Sequence, residues 1–311
     1  MTTVAPPRTP GELSQAERRR LSQASRAERR FGWLLCSPAV IVMAAVAFYP
    51  IGYAIYLSLQ RYILSAPQLQ KFVGFSNYAA VLSSPFWWHA LWVTVVIVVV
   101  SVAIELVLGM LLALLMYRTI FGRGTVRTTV LIPYGIVTIV AAFSWQYAWT
   151  PNTGYLSALF NNSAPLTKTG TAVAIIILAE VWKTTAFMAL LLMAGLSLVP
   201  EDLLKAARVD GATAWQRFWR ITVPLMKPAI LVALLFRTLD AFRIFDNIFI
   251  LTGGSNGTYS VSILNYDNLF TGFNFGIGSA MSILILISVA IIATIFIKGF
   301  GTAAPGSDLS R

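Results

Sequence analysis

The sequence predicts an all-helical membrane protein that crosses the bilayer six times. Three observations predict it: 57% of the 311 residues are apolar, only 11% are charged, and the apolar residues are gathered into long runs instead of short amphipathic stretches. Six runs reach the roughly 20 residues that a helix needs to cross the hydrocarbon core. They lie near Trp33 to Leu59, Leu91 to Leu115, Val130 to Trp149, Ala172 to Leu192, Ala229 to Leu251 and Ala280 to Ile297. They define a membrane domain over residues 32–300, preceded by a tail at 1–31 and followed by a short one at 301–311.

The first tail carries Arg8, Arg18, Arg19, Arg20, Arg26, Arg29 and Arg30 and is too polar to bury a core, so it reads as a mobile or helical extension. A cleavable signal peptide fits poorly, because the apolar run behind it is too long and no small-residue cleavage site ends it. After the first span, Phe72, Phe75, Tyr78, Phe86, Trp87 and Trp88 crowd into one loop. That density predicts an interfacial belt and a short helix lying along the membrane surface.

Basic residues set the orientation. The first tail, Arg118, Arg123 and Arg127 in the 2–3 loop, Lys205, Arg208, Arg217, Arg220 and Lys227 in the 4–5 loop, and Lys298 and Arg311 at the end place seventeen on one side. Arg61, Lys71 and Lys168 are on the other. The asymmetry predicts a multi-pass protein with both termini and the 4–5 loop in the cytoplasm. It also accounts for the net charge of +11 without a nucleic-acid partner. The outer 5–6 loop, residues 252–278, has no Lys or Arg and either meets an extracytoplasmic partner or is a plain surface loop. The lone Cys36 excludes an internal disulfide, and the lone His89 cannot form a metal cluster, so no metal is expected.

The 4–5 loop, residues 199–228, is the one long charge-dense interval between spans. Pro200 can open a short helix with Glu201 and Asp202 in its first turn, and Asp210-Gly211 supplies the turn that ends it. Thr213 is placed to cap a second helix, which Pro224 should stop.

Seven charged residues fall inside the spans: Glu105, Glu180, Lys183, Arg237, Asp240, Arg243 and Asp246. Each costs about 2.5 to 3.5 kcal/mol at mid-membrane on insertion scales, so they need partners or a wet cavity. With span 5 read as one helix at about 100° per residue, Arg237, Asp240, Arg243, Asp246 and Asn247 fan over about half its circumference. Glu180 and Lys183 are i,i+3 neighbours on span 4 at a similar depth. Two helices thus present polar groups at the midplane, where transporters hold solutes, or else a salt-bridge network fixes their packing. Glu105, alone on span 2, reads as structural. Four acids against three bases favour a neutral polyhydroxylated solute, and Trp145, Trp182 and Phe242 are candidate apolar faces for sugar rings.

No G-x-x-x-x-G-K-[ST] phosphate loop, G-x-S-x-G elbow or H-E-x-x-H pair occurs. No catalytic residue is expected, and ATP driving any active transport must be hydrolysed by another polypeptide.

The helix, glycine turn and helix of the 4–5 loop resemble the EAA loop of ABC-importer permeases, a coupling helix that docks on a cytoplasmic ATPase. The matching positions are Ala206, Ala207, Asp210, Gly211, Ala212, Ile221 and Pro224. Lys205 departs from the pattern, standing where the family usually has glutamate. Asp240 to Asn247 followed by Leu251-Thr252-Gly253-Gly254 is similar to the next span of carbohydrate-importer permeases, which implies that Arg243, Asp246 and Asn247 line the sugar site; Asp240, Glu180 and Lys183 join them as candidates from their depth on spans 4 and 5. The Arg-rich tail looks like that of mycobacterial trehalose-importer permeases. The resemblance covers residues 32–300 and implies the type I importer permease fold in a bacterial inner membrane. It further implies a second permease subunit, two ATPase subunits or domains binding ATP and Mg, an extracytoplasmic substrate-binding lipoprotein, and a sugar such as trehalose as solute. Two other readings stay open. The solute is a glycerol phosphate ester held by Arg237 and Arg243, or the protein is an ion-coupled carrier using Glu180 and Asp240 as proton sites.

Overall fold

A computed structural model describes residues 15–118, 122–161 and 164–300. Residues 1–14 of the expected first tail and all of the expected C-terminal tail lie outside the described residues. The chain divides into two compact units, one ending at Tyr56 and one beginning at Leu57. Among the described residues the first holds helix α1 (Gln15–Ser58) as far as Tyr56; the helix's apolar stretch begins at Phe31 and runs for 28 residues despite Pro38 and Pro50. The helix therefore reaches back into the expected tail. The rings of Tyr49, Tyr53 and Tyr56 stack in sequence along it.

The second unit begins with β1 (Gln60–Arg61), which pairs antiparallel with β2 (Lys71–Phe72), and with α2 (Ser76–Ser83), the expected short outer helix. Asn77 holds this cap together by donating Nδ2 to the carbonyls of Ser58 and Gln60, both at 2.8 Å. The long apolar helix α3 (Pro85–Arg118) follows. Next come α4 (Arg123–Gly135), α5 (Thr138–Ala148), α6 (Tyr155–Leu159) and α7 (Thr169–Leu196). The 4–5 loop contains α8 (Glu201–Val209) and α9 (Ala214–Arg217). The chain ends in α10 (Val223–Ala241), α11 (Asp246–Leu251), α12 (Val261–Tyr266) and α13 (Phe275–Phe300). Among the described residues five helices are long and apolar enough to cross a bilayer, and six if the bent pair α4 and α5 counts as one span.

The core lies where α3, α7 and α10 meet, around Ala113, Met188, Leu192, Met226 and Ala233. Helices in lipid associate by close packing of small residues, not by exclusion of water. Gly195 illustrates the closeness: a Cβ there would stand 2.4 Å from the Cβ of Ala229 on α10. Gly195→Val is therefore expected to push α7 and α10 apart and destabilise the chain by about 1 to 3 kcal/mol. Thermal unfolding of the detergent-solubilised protein, followed by light scattering, would show it as a lowered midpoint.

Three sequence expectations are corrected here. Span 3 is not one helix: α4 and α5 meet at 85° across Ile136 and Val137, whose backbone is extended. Pro133 withdraws a backbone donor and Gly135 weakens the last turn, which ends the helix. Pro224 does not stop the second loop helix. A π-helical turn over Phe218–Thr222 connects α9 to α10, and the Val223 N–H closes on the Phe218 carbonyl. Pro224 follows that π turn inside a helix that is continuous over Ala214–Ala241, and the local shift of the hydrogen-bond ladder accommodates its missing N–H. Span 5 in turn ends at Ala241 instead of Leu251. Ser260 donates its hydroxyl to the Ile244 carbonyl at 3.1 Å, and the chain turns before α11 restarts it.

The Ser260 contact also changes the reading of the outer 5–6 loop, which is not a plain surface segment throughout. Val261 and Ile263 are buried, and the Val261 N–H donates to Thr94 Oγ1 of α3 at 3.0 Å.

Candidate functional site

The two broken spans create a cavity. The bend of span 3 brings Tyr134 and Thr138 to it, and α7 presents Glu180, Lys183 and Thr184 from one face. The end of α10 and the turn into α11 supply Asp240, Arg243, Ile244, Phe245, Asp246 and Asn247. The space is ≈ 250 Å³. Irregular backbone at membrane depth is tolerated where it lines a wet cavity, which is where both breaks stand.

All six solute-site residues named from the sequence line this cavity: Glu180, Lys183, Asp240, Arg243, Asp246 and Asn247. They do not do so as a fan on one helix, because α10 stops before Arg243. Nor do Glu180 and Lys183 pair with each other. Glu180 Oε1 accepts from Arg237 Nη2 at 2.6 Å and its Oε2 accepts from Asn247. The Lys183 ammonium instead lies over the Tyr134 ring, 5.6 Å from its centroid, a cation–π contact across the span-3 bend.

Beneath the lining lies a second tier of charge. Arg237 is fully buried; its Nε and Nη2 donate to Glu105 at 2.5 and 3.0 Å, and its Nη1 donates to Asp240 at 2.9 Å. Glu105 is equally buried, and its Oε1 also lies 2.9 Å from Thr184 Oγ1. The acid that looked alone on span 2 therefore has an arginine from span 5 as its partner, and one guanidinium joins α3, α7 and α10. Removing charges from water demands such satisfaction of every lone pair.

Of the aromatic residues expected to face a sugar ring, Phe242 is buried in the core, and Trp145 and Trp182 pack edge-to-face on each other. The rings at the cavity are Tyr134 and Phe245. The break beside Tyr134 was readable in Pro133-Tyr134-Gly135, whereas Phe245 and Thr138 carried no signal of their own.

The second candidate site is the 4–5 loop. Gly211 ends α8 with φ +82°, donating its N–H to the Arg208 carbonyl, while the Ala212 N–H reaches back to Ala207. Thr213 and Gln216 then form a reciprocal capping box on α9. Every side chain of α8 and α9 is at least partly exposed, and Val209 and Trp215 are exposed at 88% and 69%. Beside the turn a concavity of ≈ 350 Å³ is lined by Asp210, Gly211, Ala212, Gln216, Arg217 and Ile221, among others. Ala206 and Lys205 lie on the outer face of α8. Lys205 pairs with Glu201 at 3.8 Å and Asp202 at 3.3 Å, exposed pairs that contribute a few tenths of a kcal/mol. Pro-capped α8, glycine turn and capped α9 thus present exposed apolar side chains among charges of both signs on a defined local geometry.

Comparison with known proteins bears on both sites. The family model for the inner membrane component of binding-protein-dependent transport systems matches residues 73–302. The trehalose transport system permease protein SugA of Mycobacterium tuberculosis (strain H37Rv) is 62% identical over 285 residues, covering 91% of this chain and 93% of its own. The trehalose/maltose transport system permease protein MalF of Thermococcus litoralis is 39% identical over 280 residues, covering 87% and 94%. Among solved structures, a subunit of a bacterial ABC transporter that imports the acidic polysaccharide alginate superposes with a TM-score of 0.77. It covers 92% of this chain and 99% of its own at 22% identity, a likeness of fold.

Proposed function

The chain belongs to the binding-protein-dependent transport system inner membrane components and is a permease subunit of a carbohydrate ABC importer, and we propose that the sugar it passes is trehalose. The observation that carries the substrate is the cavity between the broken spans. Carboxylates, cations and an amide line it together, and both charge signs bond hydroxyl groups well. The extensive identity with a trehalose permease supports the same sugar. At ≈ 250 Å³ the cavity is smaller than the roughly 300–1,000 Å³ of a complete ligand pocket, so a second permease subunit supplies the other wall.

In this reading Arg243, Asp246 and Asn247 meet the sugar hydroxyls from the α10–α11 turn, and Asp240, Glu180 and Lys183 meet them from the helices. The 4–5 loop faces the cytoplasm with both termini, as the basic residues suggest, and its α8 to Ala212 turn docks on an ATPase subunit. ATP and Mg are held by that subunit and its twin, and an extracytoplasmic lipoprotein delivers the solute. ATP-driven closure of the ATPases moves the loop. The unbroken helix from Ala214 to Ala241 carries the movement to the cavity, where the breaks in spans 3 and 5 let it change shape.

A glycerol phosphate ester is the second reading, but not with Arg237 as a ligand, since that side chain is fully buried and engaged by three carboxylates; Arg243, and Lys183 beside it, have no carboxylate within ion-pair distance among the described residues. Purification of the tagged chain with its partners, reconstitution and uptake of labelled trehalose separate the readings. Trehalose uptake should resist excess glycerol 3-phosphate. Arg243→Gln should lower it about tenfold or more, as expected for loss of a charge-assisted bond of about 1.5 to 3 kcal/mol. Uptake of glycerol phosphate that Arg243→Gln abolishes, with sugar uptake untouched, would favour the ester. Recovery of the chain without an ATPase, still competent for uptake, would point to an ion-coupled carrier.

A further inference from the structure

The charge tier beneath the cavity is not required by the path of the solute, since neither Glu105 nor Arg237 is among the residues lining it. We propose that Arg237, seated by Glu105, is a positioning residue that fixes Glu180, Asp240 and Asn247 in the arrangement the solute meets. The proposal rests on the reading of the cavity as the solute site.

The geometry separates this role from plain helix packing. A pair that only joined α3 to α10 would be complete with Glu105 and Arg237. Here the guanidinium also donates from Nη2 to Glu180 and from Nη1 to Asp240, both of which line the cavity. A planar fork with five N–H donors can hold three carboxylates in fixed directions at once, which a lysine ammonium on a flexible stem cannot. Glu180 is constrained at both oxygens, by Arg237 on one and by Asn247 on the other. Asn247 belongs to the short helix α11, so the chain of bonds runs from α3 through Arg237 and Glu180 to the segment that restarts span 5. The side chains that meet hydroxyls are thereby set before the solute arrives, and binding spends less on ordering them. Asp240 is 64% exposed and Glu180 9%, so the tier leaves its outer acid open to the cavity while holding its inner one.

The variant that addresses Arg237 from outside the lining is Glu105→Gln, which keeps the size of the side chain, removes its charge and retains an oxygen for the hydroxyl of Thr184, the lining residue that bonds it. In the assembled importer in lipid nanodiscs without solute, amide hydrogen exchange of residues 242–251 should quicken about tenfold, and that of 201–217 should not change. In proteoliposomes loaded with ATP, Glu105→Gln should lower the initial uptake of labelled trehalose about tenfold. In a Glu180→Gln background it should cause little further loss, because both changes cut the same chain of bonds. Unaltered exchange at 242–251, or losses that multiply in the double variant, would overturn the positioning role. Should Glu105→Gln fail to assemble, Glu105→Asp, which keeps the charge but withdraws it from Arg237, is read the same way. The exchange measurement needs no solute. A wild-type importer that ignores trehalose would thus sink the substrate assignment and leave the positioning role to be decided by exchange alone.

Discussion

Replacing Gly211 with proline will leave the chain in the membrane and abolish transport. The left-handed turn at φ +82° is closed to proline, whose ring holds φ near −65°, and the substitution also deletes the N–H that bonds the Arg208 carbonyl. The turn must re-form with α8 pointing elsewhere. Leu204 of α8 packs against the core, but it is only partly buried and no side chain of α8 or α9 is fully buried, so the spans lose little of their packing, and abundance and assembly of the spans should be near normal. On the proposed docking, what is lost is the match between the loop and a partner ATPase. A loss of about 2.8 kcal/mol in that docking corresponds to about a 100-fold weakening, and rigid displacement of a nine-residue helix should exceed it. Uptake and ATP hydrolysis measured in the same vesicles should show hydrolysis no longer spent on solute. Gly211→Ala is the graded control. A Cβ at 211 meets nothing within 4 Å, so alanine bears only the conformational penalty of about 1 kcal/mol and should keep much of the transport. Normal transport by Gly211→Pro would remove the loop from the coupling path.

What the sequence made legible was what neighbouring residues encode. Apolar runs are local, so the five long spans and the apolar run of the bent pair were readable, and so were the Pro200 start, the Gly211 turn and the Thr213 cap. Features made by distant partners were not. Nothing in Phe242-Arg243-Ile244-Phe245 breaks a helix by propensity; the break is stabilised by Ser260, sixteen residues on, bonding the freed Ile244 carbonyl. Pro224 looked like a terminator because a shift to π-helical bonding is invisible to periodicity. Glu180 and Lys183 have ion-pair spacing, yet Glu180 is claimed by Arg237, 57 residues away, which offers a directed fork in place of a flexible ammonium. Glu105 looked unpartnered because its partner is 132 residues further along the chain. The bend in span 3 was within reach of the sequence, since Pro133 and Gly135 bracket Tyr134 inside an otherwise apolar run.

The largest effect on the folded state should come from Arg237→Leu. Arg237 is fully buried and serves three carboxylates, two of which, Glu105 and Glu180, are also buried. Removing one partner of a buried ion pair costs about 3 to 5 kcal/mol, because the other charge is left without compensation. The whole stability of an ordinary domain is only about 5 to 15 kcal/mol, so the variant should be nearly absent from membranes and should aggregate on mild heating in detergent. The same physics predicts its repair. Replacing a buried pair on both sides by apolar side chains is close to neutral, so Arg237→Leu with Glu105→Leu should recover the part of the lost abundance that falls on Glu105, while Glu180, left with its bond from Asn247, keeps the remainder of the loss. Transport should not recover, since no guanidinium is left to hold Glu180 and Asp240 toward the cavity. Immunoblots of membranes give the first quantity and vesicle uptake the second. A double variant that regained both would mean that the tier serves folding alone, whereas recovery of abundance without transport places the arginine in the arrangement of the solute site.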